Sequence, residues 1–233
     1  MRTETQNSLF QNIRNLVMQP NYPCVSAVSS FLKNDYMIEN YPEFGSGKAA
    51  ERLYADLLHF KNEQRLTQAP FYSFWAVYED SEVTSEDEFE EKLWLELSAV
   101  HSYEVKKCAE EDTELNWDPK FSSNPHDKNF CFSVGGDAYF VVGMHPHSSR
   151  KARHFPYPIL IFNLYTQFED LFQKNTFEPL AKINRLREMK FQGSINPMVE
   201  KHAQEWESIQ FSGKKNDDQW KCPFQRLIHK VIG

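Results

Sequence analysis

The chain is short of the features that would place it quickly. Its four cysteines, Cys24, Cys108, Cys131 and Cys222, include no C-x-x-C pair. That excludes a zinc ribbon and a thioredoxin-type motif. No stretch approaches the ~18 consecutive apolar residues of a membrane span. The first residues, Met1-Arg2-Thr3-Glu4-Thr5-Gln6, carry no apolar run after their charge, so they do not read as a secretory signal. There is no N-x-S/T glycosylation site and no G-x-S-x-G elbow, so α/β-hydrolase chemistry has no support. These absences point to a cytoplasmic protein with reduced thiols. Positive charge is also scarce: 26 Lys and Arg against 33 Asp and Glu give a net charge of -7. A general nucleic-acid binder would carry a basic field instead.

Aromatic residues are plentiful, at 15% of 233 residues, with 19 Phe. Such a chain can bury a core without disulfides or metal staples. The spacing of apolar residues predicts helices over 5–18, 47–64, 85–103, 165–174 and 178–189, and a polar helix near 197–207. Strands are predicted at 36–41, 71–78 and 158–162. Two short runs, 130–134 and 138–142, flank Gly135-Gly136-Asp137 and read as a hairpin. The stretch 24–32 is ambiguous, and 106–129 reads as an irregular excursion. Ser85 with Glu88 forms a capping box at the start of the third helix. Strands and helices without a βαβ rhythm indicate α+β, one domain over 1–233 with a mainly antiparallel sheet flanked by helices.

Gly45-Ser46-Gly47-Lys48-Ala49 imitates a phosphate loop and fails it. Pro42 stands where the first glycine belongs and Ala49 where a Ser or Thr should hold magnesium. The informative stretch follows the hairpin: His145-Pro146-His147-Ser148-Ser149-Arg150-Lys151-Ala152-Arg153. Neutral imidazole is a ligand for iron, zinc or copper. Arginines close behind suit carboxylates such as haem propionates, through forked hydrogen bonds. A basic surface loop is the plain alternative. An H-x-H pair alone does not define a zinc site, though His101 could complete one in three dimensions. His59, His126, His154, His202 and His229 have no supporting constellation. Cys24 after Pro23, and Cys222 before Pro223, read as inert thiols rather than iron ligands.

Several segments then resemble one family in order. They are Asn21-Tyr22-Pro23-Cys24, Ala50 to Tyr54, Leu97 to His101, Phe130-Cys131-Phe132, the 145–155 run, and Ile161-Phe162-Asn163 through Gln167-Phe168-Glu169. Together they are similar to the YqcI/YcgG family, whose loop typically reads HPxSSRxxRRF. The tail, with Gln192 to Met198, Phe211-Ser212-Gly213 and Trp220 to Phe224, resembles the branch of the guanitoxin-pathway N-hydroxylase. The resemblance implies haem-dependent oxidation of a guanidino nitrogen, as for arginine in the D-cycloserine pathway. It implies haem b as cofactor, with dioxygen or peroxide as co-substrate. His145 would bind the iron, with His101 as the alternative. Arg150, Arg153, Ser148 and Ser149 would hold the propionates. This sequence departs from the pattern at His154, where many relatives have arginine, and at 203–208.

The expectation is therefore a haem-dependent N-oxygenase acting on a small guanidino or amino compound, in specialised metabolism. Electrons would come from a separate reductase or from peroxide. No nucleic acid or membrane partner is expected. Phe71, Tyr72, Phe74, Trp75, Phe130, Phe132 and Phe140 are candidate pocket walls, or plain core. Glu39, Glu43, Asp137 and Glu169 are candidate partners for a cationic guanidine. The alternatives are a non-haem metal oxygenase using His145, His147 and His101, and a haem-binding or sensing protein without turnover.

Overall fold

The structure is a computed structural model that describes residues 4–195 and 207–224. The predicted helix near 197–207, His202, His229, and most of the 203–208 departure lie outside the described residues. Six α-helices and a five-stranded sheet form an α+β fold. The helices are α1 (Glu4–Val17), α2 (Val25–Lys33), α3 (Ala50–Thr67), α4 (Glu86–Glu111), α5 (Tyr165–Gln173) and α6 (Phe177–Gln192). The strands are β1 (Tyr36–Asn40), β2 (Ser73–Val77), β3 (Ser133–Val134), β4 (Asp137–Met144) and β5 (Ile159–Leu164). Their order across the sheet is β1-β2-β5-β4-β3. Only β1 and β2 run parallel; the other pairs are antiparallel.

The ambiguous stretch after Cys24 is α2, which ends on Asn34 in the left-handed region. Ser85 caps α4 as predicted by accepting a hydrogen bond from the Glu88 amide at 3.1 Å. The Glu88 carboxylate reaches back to the Thr84 amide at 2.7 Å, one residue before the cap. The helix continues to Glu111, eight residues past the expected 103. Its last turns are held by i,i+4 pairs, Lys106 with Glu110 at 3.6 Å and Lys107 with Glu111 at 2.5 Å. Such pairs stabilise a helix that lacks an apolar stripe, which periodicity alone does not register. The hairpin turns at Gly135 and Gly136, both with positive φ (60° and 82°), which only glycine adopts freely. Its first strand is short, with Ser133 and Val134 alone paired to β4.

Side chains alternate across the pleat. On one face Phe74, Ala76, Tyr139, Val141, Leu160 and Phe162 join α3 and α4 in the larger core, with Leu53, Leu57, Phe60, Phe89, Leu93 and Trp94. On the other face Trp75, Val77, Met144, Ile159 and Ile161 meet Leu9, Ile13, Val17 and Phe31 of α1 and α2. Both faces of the central strands are therefore covered, and the second carries a hollow.

Candidate functional site

The hollow lies on the α2–α6 face of the sheet. Its volume is about 250 Å³, and it opens to solvent. That is just under the range of small-molecule sites, roughly 300–1,000 Å³. The floor is sheet: Ser73 and Trp75 of β2, Phe140, Val142 and Met144 of β4, and Ile161 and Asn163 of β5. Strand register puts them side by side, with Trp75 opposite Ile161, Ile161 opposite Val142, and Asn163 opposite Phe140. The walls come from α2 with Cys24 before it, from α5, from α6, and from Arg150 and Arg153 of the loop after β4.

That loop is closed on itself. The His145 amide donates to the Arg153 carbonyl at 3.0 Å, and the Phe155 amide to the His145 carbonyl at 3.3 Å. The Ser149 amide donates to Glu86 Oε1 at 2.8 Å, so one side is fixed to the start of α4. Gln192 of α6 fixes the other side, donating to the Ser149 carbonyl at 3.2 Å and accepting from the Lys151 amide at 2.7 Å. Ser148 turns its hydroxyl to the backbone of Arg150. The two serines thus shape the loop, and neither lines the hollow.

Arg150 pairs with Glu188 of α6 and donates to the Ser194 hydroxyl at 3.1 Å and the Ser194 carbonyl at 3.0 Å. Arg153 donates to the carbonyls of Gln210 at 3.0 Å and Phe211 at 3.3 Å. Gly213 (φ 82°) makes room for it, since a Cβ there would stand 2.7 Å from Arg153 Cδ. Burial lowers the Arg153 guanidinium to about 10, which leaves it charged at neutral pH. Glu90 of α4 pins the same 207–216 segment. It accepts from Ser212 Oγ at 2.9 Å and Asn216 Nδ2 at 2.6 Å, with Lys214 at 3.3 Å.

Three donors on the hollow have no partner among the described residues: Arg150 Nε, Arg185 Nε and Gln210 Nε2. Gln210 is 3% exposed. A buried donor left bare costs roughly 1–3 kcal/mol, so three around one hollow indicate an acceptor that belongs there. Arg150, Arg153 and Arg185 face a single lining carboxylate, Glu188. The excess is positive and favours an anionic group on the ligand.

The histidines are elsewhere. His145 follows β4 in the register of Val141 and Gly143, so its ring falls on the α4 face, across the sheet from the hollow. It is 0% exposed and stacks on Phe89, with ring centroids 4.1 Å apart and planes 15° from parallel. Gly143 allows this approach, because a Cβ there would meet the Phe89 ring at 2.4 Å. Neither ring nitrogen of His145 has a partner among the described residues. Burial, helped by positive neighbours, lowers its pKa to about 4, so the ring is neutral. His101, also depressed by burial, packs against Trp117 and Phe224 with Glu104 Oε2 at 4.0 Å from its Nδ1. His147 is exposed. Among the described residues no three His, Cys, Asp or Glu side chains gather as a metal group. The structure therefore brings Arg150 and Arg153 together on the hollow and leaves His145 and His101 off it.

Of the seven aromatic residues expected as walls, Phe71, Trp75 and Phe140 line the hollow. Phe74, Phe130 and Phe132 lie in the larger core, and Tyr72 stacks on Phe60. The four expected carboxylates are paired elsewhere: Glu39 with Arg52, Glu43 with Lys48, Asp137 with Lys61 and Arg65, Glu169 with Lys120. The failed phosphate loop is a turn in which the Gly45 amide donates to Glu96 Oε2 at 2.8 Å. Sequence reasoning missed Glu188, Arg185, Gln210 and the placement of Cys24. The resemblance segments Asn21 to Cys24 and Phe211 to Gly213 came near two of them.

A loop of this sequence, on this mixed sheet, defines a class of chain. The YqcI/YcgG family pattern matches residues 13–225, and the chain belongs to that family. In particular it is similar to two proteins of Bacillus subtilis (strain 168), the uncharacterized proteins YqcI and YcgG. Each is 24% identical over 217 residues, covering 88% of this chain and 81% of the relative. No solved structure matches it. Among the described residues no helix is long and apolar enough to cross a membrane.

Proposed function

We propose that this chain is a haem-dependent N-oxygenase acting on a nitrogen of a small guanidino or amino compound. The observation that carries the reading is the hollow itself. It is a mostly apolar slot, with Trp75 and Phe140 in its floor, whose rim presents three guanidinium groups and three donors bare among the described residues. That donor set fits haem b, a flat apolar macrocycle with two carboxylates. Arg150 and Arg153 would hold the propionates by charge-assisted hydrogen bonds. Ser148 and Ser149 act through the loop that positions these arginines. Bound haem supplies the activation of dioxygen or peroxide and the insertion of oxygen into an N–H bond.

The chain's own residues do the rest. Trp75, Phe140 and Phe168 exclude water and orient flat groups. Glu188 is the lining carboxylate that would meet a cationic guanidine, and Arg150 holds it in place. Asn163 and Gln167 offer neutral hydrogen bonds at the floor and wall. Electrons come from a separate reductase or enter with peroxide.

A pyridine haemochrome assay and an absorption spectrum on the purified chain, expressed with added haem precursor, test this reading. One haem per chain with an intense Soret band is the expected result. Colourless protein under those conditions would overturn it, and metal without porphyrin would favour a non-haem oxygenase.

A further inference from the structure

Cys24 sits where α2 begins and lines the hollow. Its sulfur takes the N-cap role, accepting from the Ala27 amide at 3.4 Å. Ser, Thr, Asp and Asn fill that position far more often, so a thiol here calls for a reason beyond capping. The position is also held from α6. The Val25 amide donates to Asn184 Oδ1 at 3.1 Å, and Arg187 Nε donates to the Tyr22 carbonyl at 2.7 Å. Tyr22 in turn donates to the Ala152 carbonyl at 3.1 Å, which ties Cys24 to the arginine-bearing loop. Cys24 is thus held in place on the wall of the hollow, as an exposed residue with a free thiol.

Burial raises its thiol pKa, while the Ala27 and Ser26 amides and Arg153 and Arg187 pull the other way. A second observation points to a ligand in the same place. Gln210 is almost wholly buried on this hollow with its amide nitrogen bare among the described residues, and Arg150 Nε and Arg185 Nε share that condition. One wall offers a soft sulfur and the rim offers acceptor-seeking nitrogens, as a metalloporphyrin dicarboxylate requires.

We propose that Cys24 is the axial thiolate ligand of a haem iron bound in this hollow, with Gln210 and Arg185 joining Arg150 and Arg153 at its carboxylates. The inference rests on the haem reading above and adds the ligand. Binding is an exchange without redox change: the S–H proton passes to solvent as the sulfur lone pair forms the Fe–S bond. A coordinating thiol is deprotonated outright by the metal charge, so a raised thiol pKa is no obstacle. The Ala27 amide and the positive end of α2 then bear on the thiolate. His145, across the sheet, has no part in ligation.

The ferrous–CO absorption spectrum and the ferric electron paramagnetic resonance spectrum of the haem-loaded full chain decide the matter. The set is wild type, Cys24→Ser, Cys222→Ser and His145→Ala. Serine keeps an oxygen acceptor at the N-cap, so α2 keeps its cap and a thermal melt close to that of the wild type. The expected wild-type result is the red-shifted CO Soret band of thiolate ligation. Cys24→Ser should lose that band or lose haem, and His145→Ala should keep it. Haem bound with an imidazole-type CO band, unchanged in Cys24→Ser and lost in His145→Ala, would overturn the ligand assignment and leave the cofactor standing. Absence of haem from the wild type would overturn the cofactor reading and this inference together. The wild-type band separates thiolate from imidazole, and Cys222→Ser, which should keep that band, separates Cys24 from the buried Cys222 thiol; loss of the band in Cys222→Ser would overturn the assignment.

Discussion

The two faces of the sheet are built from the same strands and end in opposite states. On the α3–α4 face, rings stack in the larger core, and His145 is closed in against Phe89 with neither ring nitrogen partnered among the described residues. On the α2–α6 face, smaller side chains such as Ser73, Ala152 and Ala181 leave a hollow, and charged groups line it. The difference teaches that the pleat can send neighbours in one loop to opposite faces: His145 to the core, Arg150 and Arg153 to the hollow. His145 is buried because the pleat carries it into a packed core. Arg150 and Arg153, a few residues on, return across the strand ends to the open face.

The sharpest way to break the contrast is to fill the hollow. Ala181 of α6 is 9% exposed and lines it, so Ala181→Trp should abolish haem retention while the closed face, and most of the thermal stability, persist. Haem content and a melting curve on the same sample check this. Retention of wild-type haem by that variant would place the cofactor elsewhere.

A smaller effect tests the closed face by pH. His145 titrates near 6.5 when unfolded and near 4 when folded, with burial as the main cause. Between those values the unfolded chain binds more protons, so stability rises with pH and falls as pH drops from 6.5 toward 4. The full loss is about 3 kcal/mol, at 1.36 kcal/mol per pKa unit. His145→Phe should remove that part of the acid sensitivity, seen as a difference between the two proteins' denaturation curves at pH 7 and pH 4. An unchanged difference would mean that the ring is not desolvated as described.

Much of this architecture was legible in the residues. The helical stripe of Leu53, Leu57 and Phe60, the Ser85 cap and the Gly135-Gly136 turn each act locally, and each lies where spacing predicts. The loop from His145 to Phe155 was found because its residue types are unusual together. Which side of the sheet each member faces was half visible. Period-2 alternation separates Met144 from His145, but both faces of β4 are buried, so polarity does not say which face is hollow. The hollow is assembled from α2, α5, α6 and the Gln210 segment, distant in sequence and joined only by tertiary contacts. Cys24 read as inert because a single Pro-Cys pair carries no ligand pattern, although it lies in a family-like segment; in space it shares the hollow with Arg150 and Arg153.

Hydrogen–deuterium exchange of the apo chain with and without added haem tests the central claim most directly, because it reports which face responds. Protection is predicted in α2, in α6 and around Arg150 to Arg153, with α4 near Phe89 unchanged. Protection confined to α4 and the His145 backbone would contradict the account.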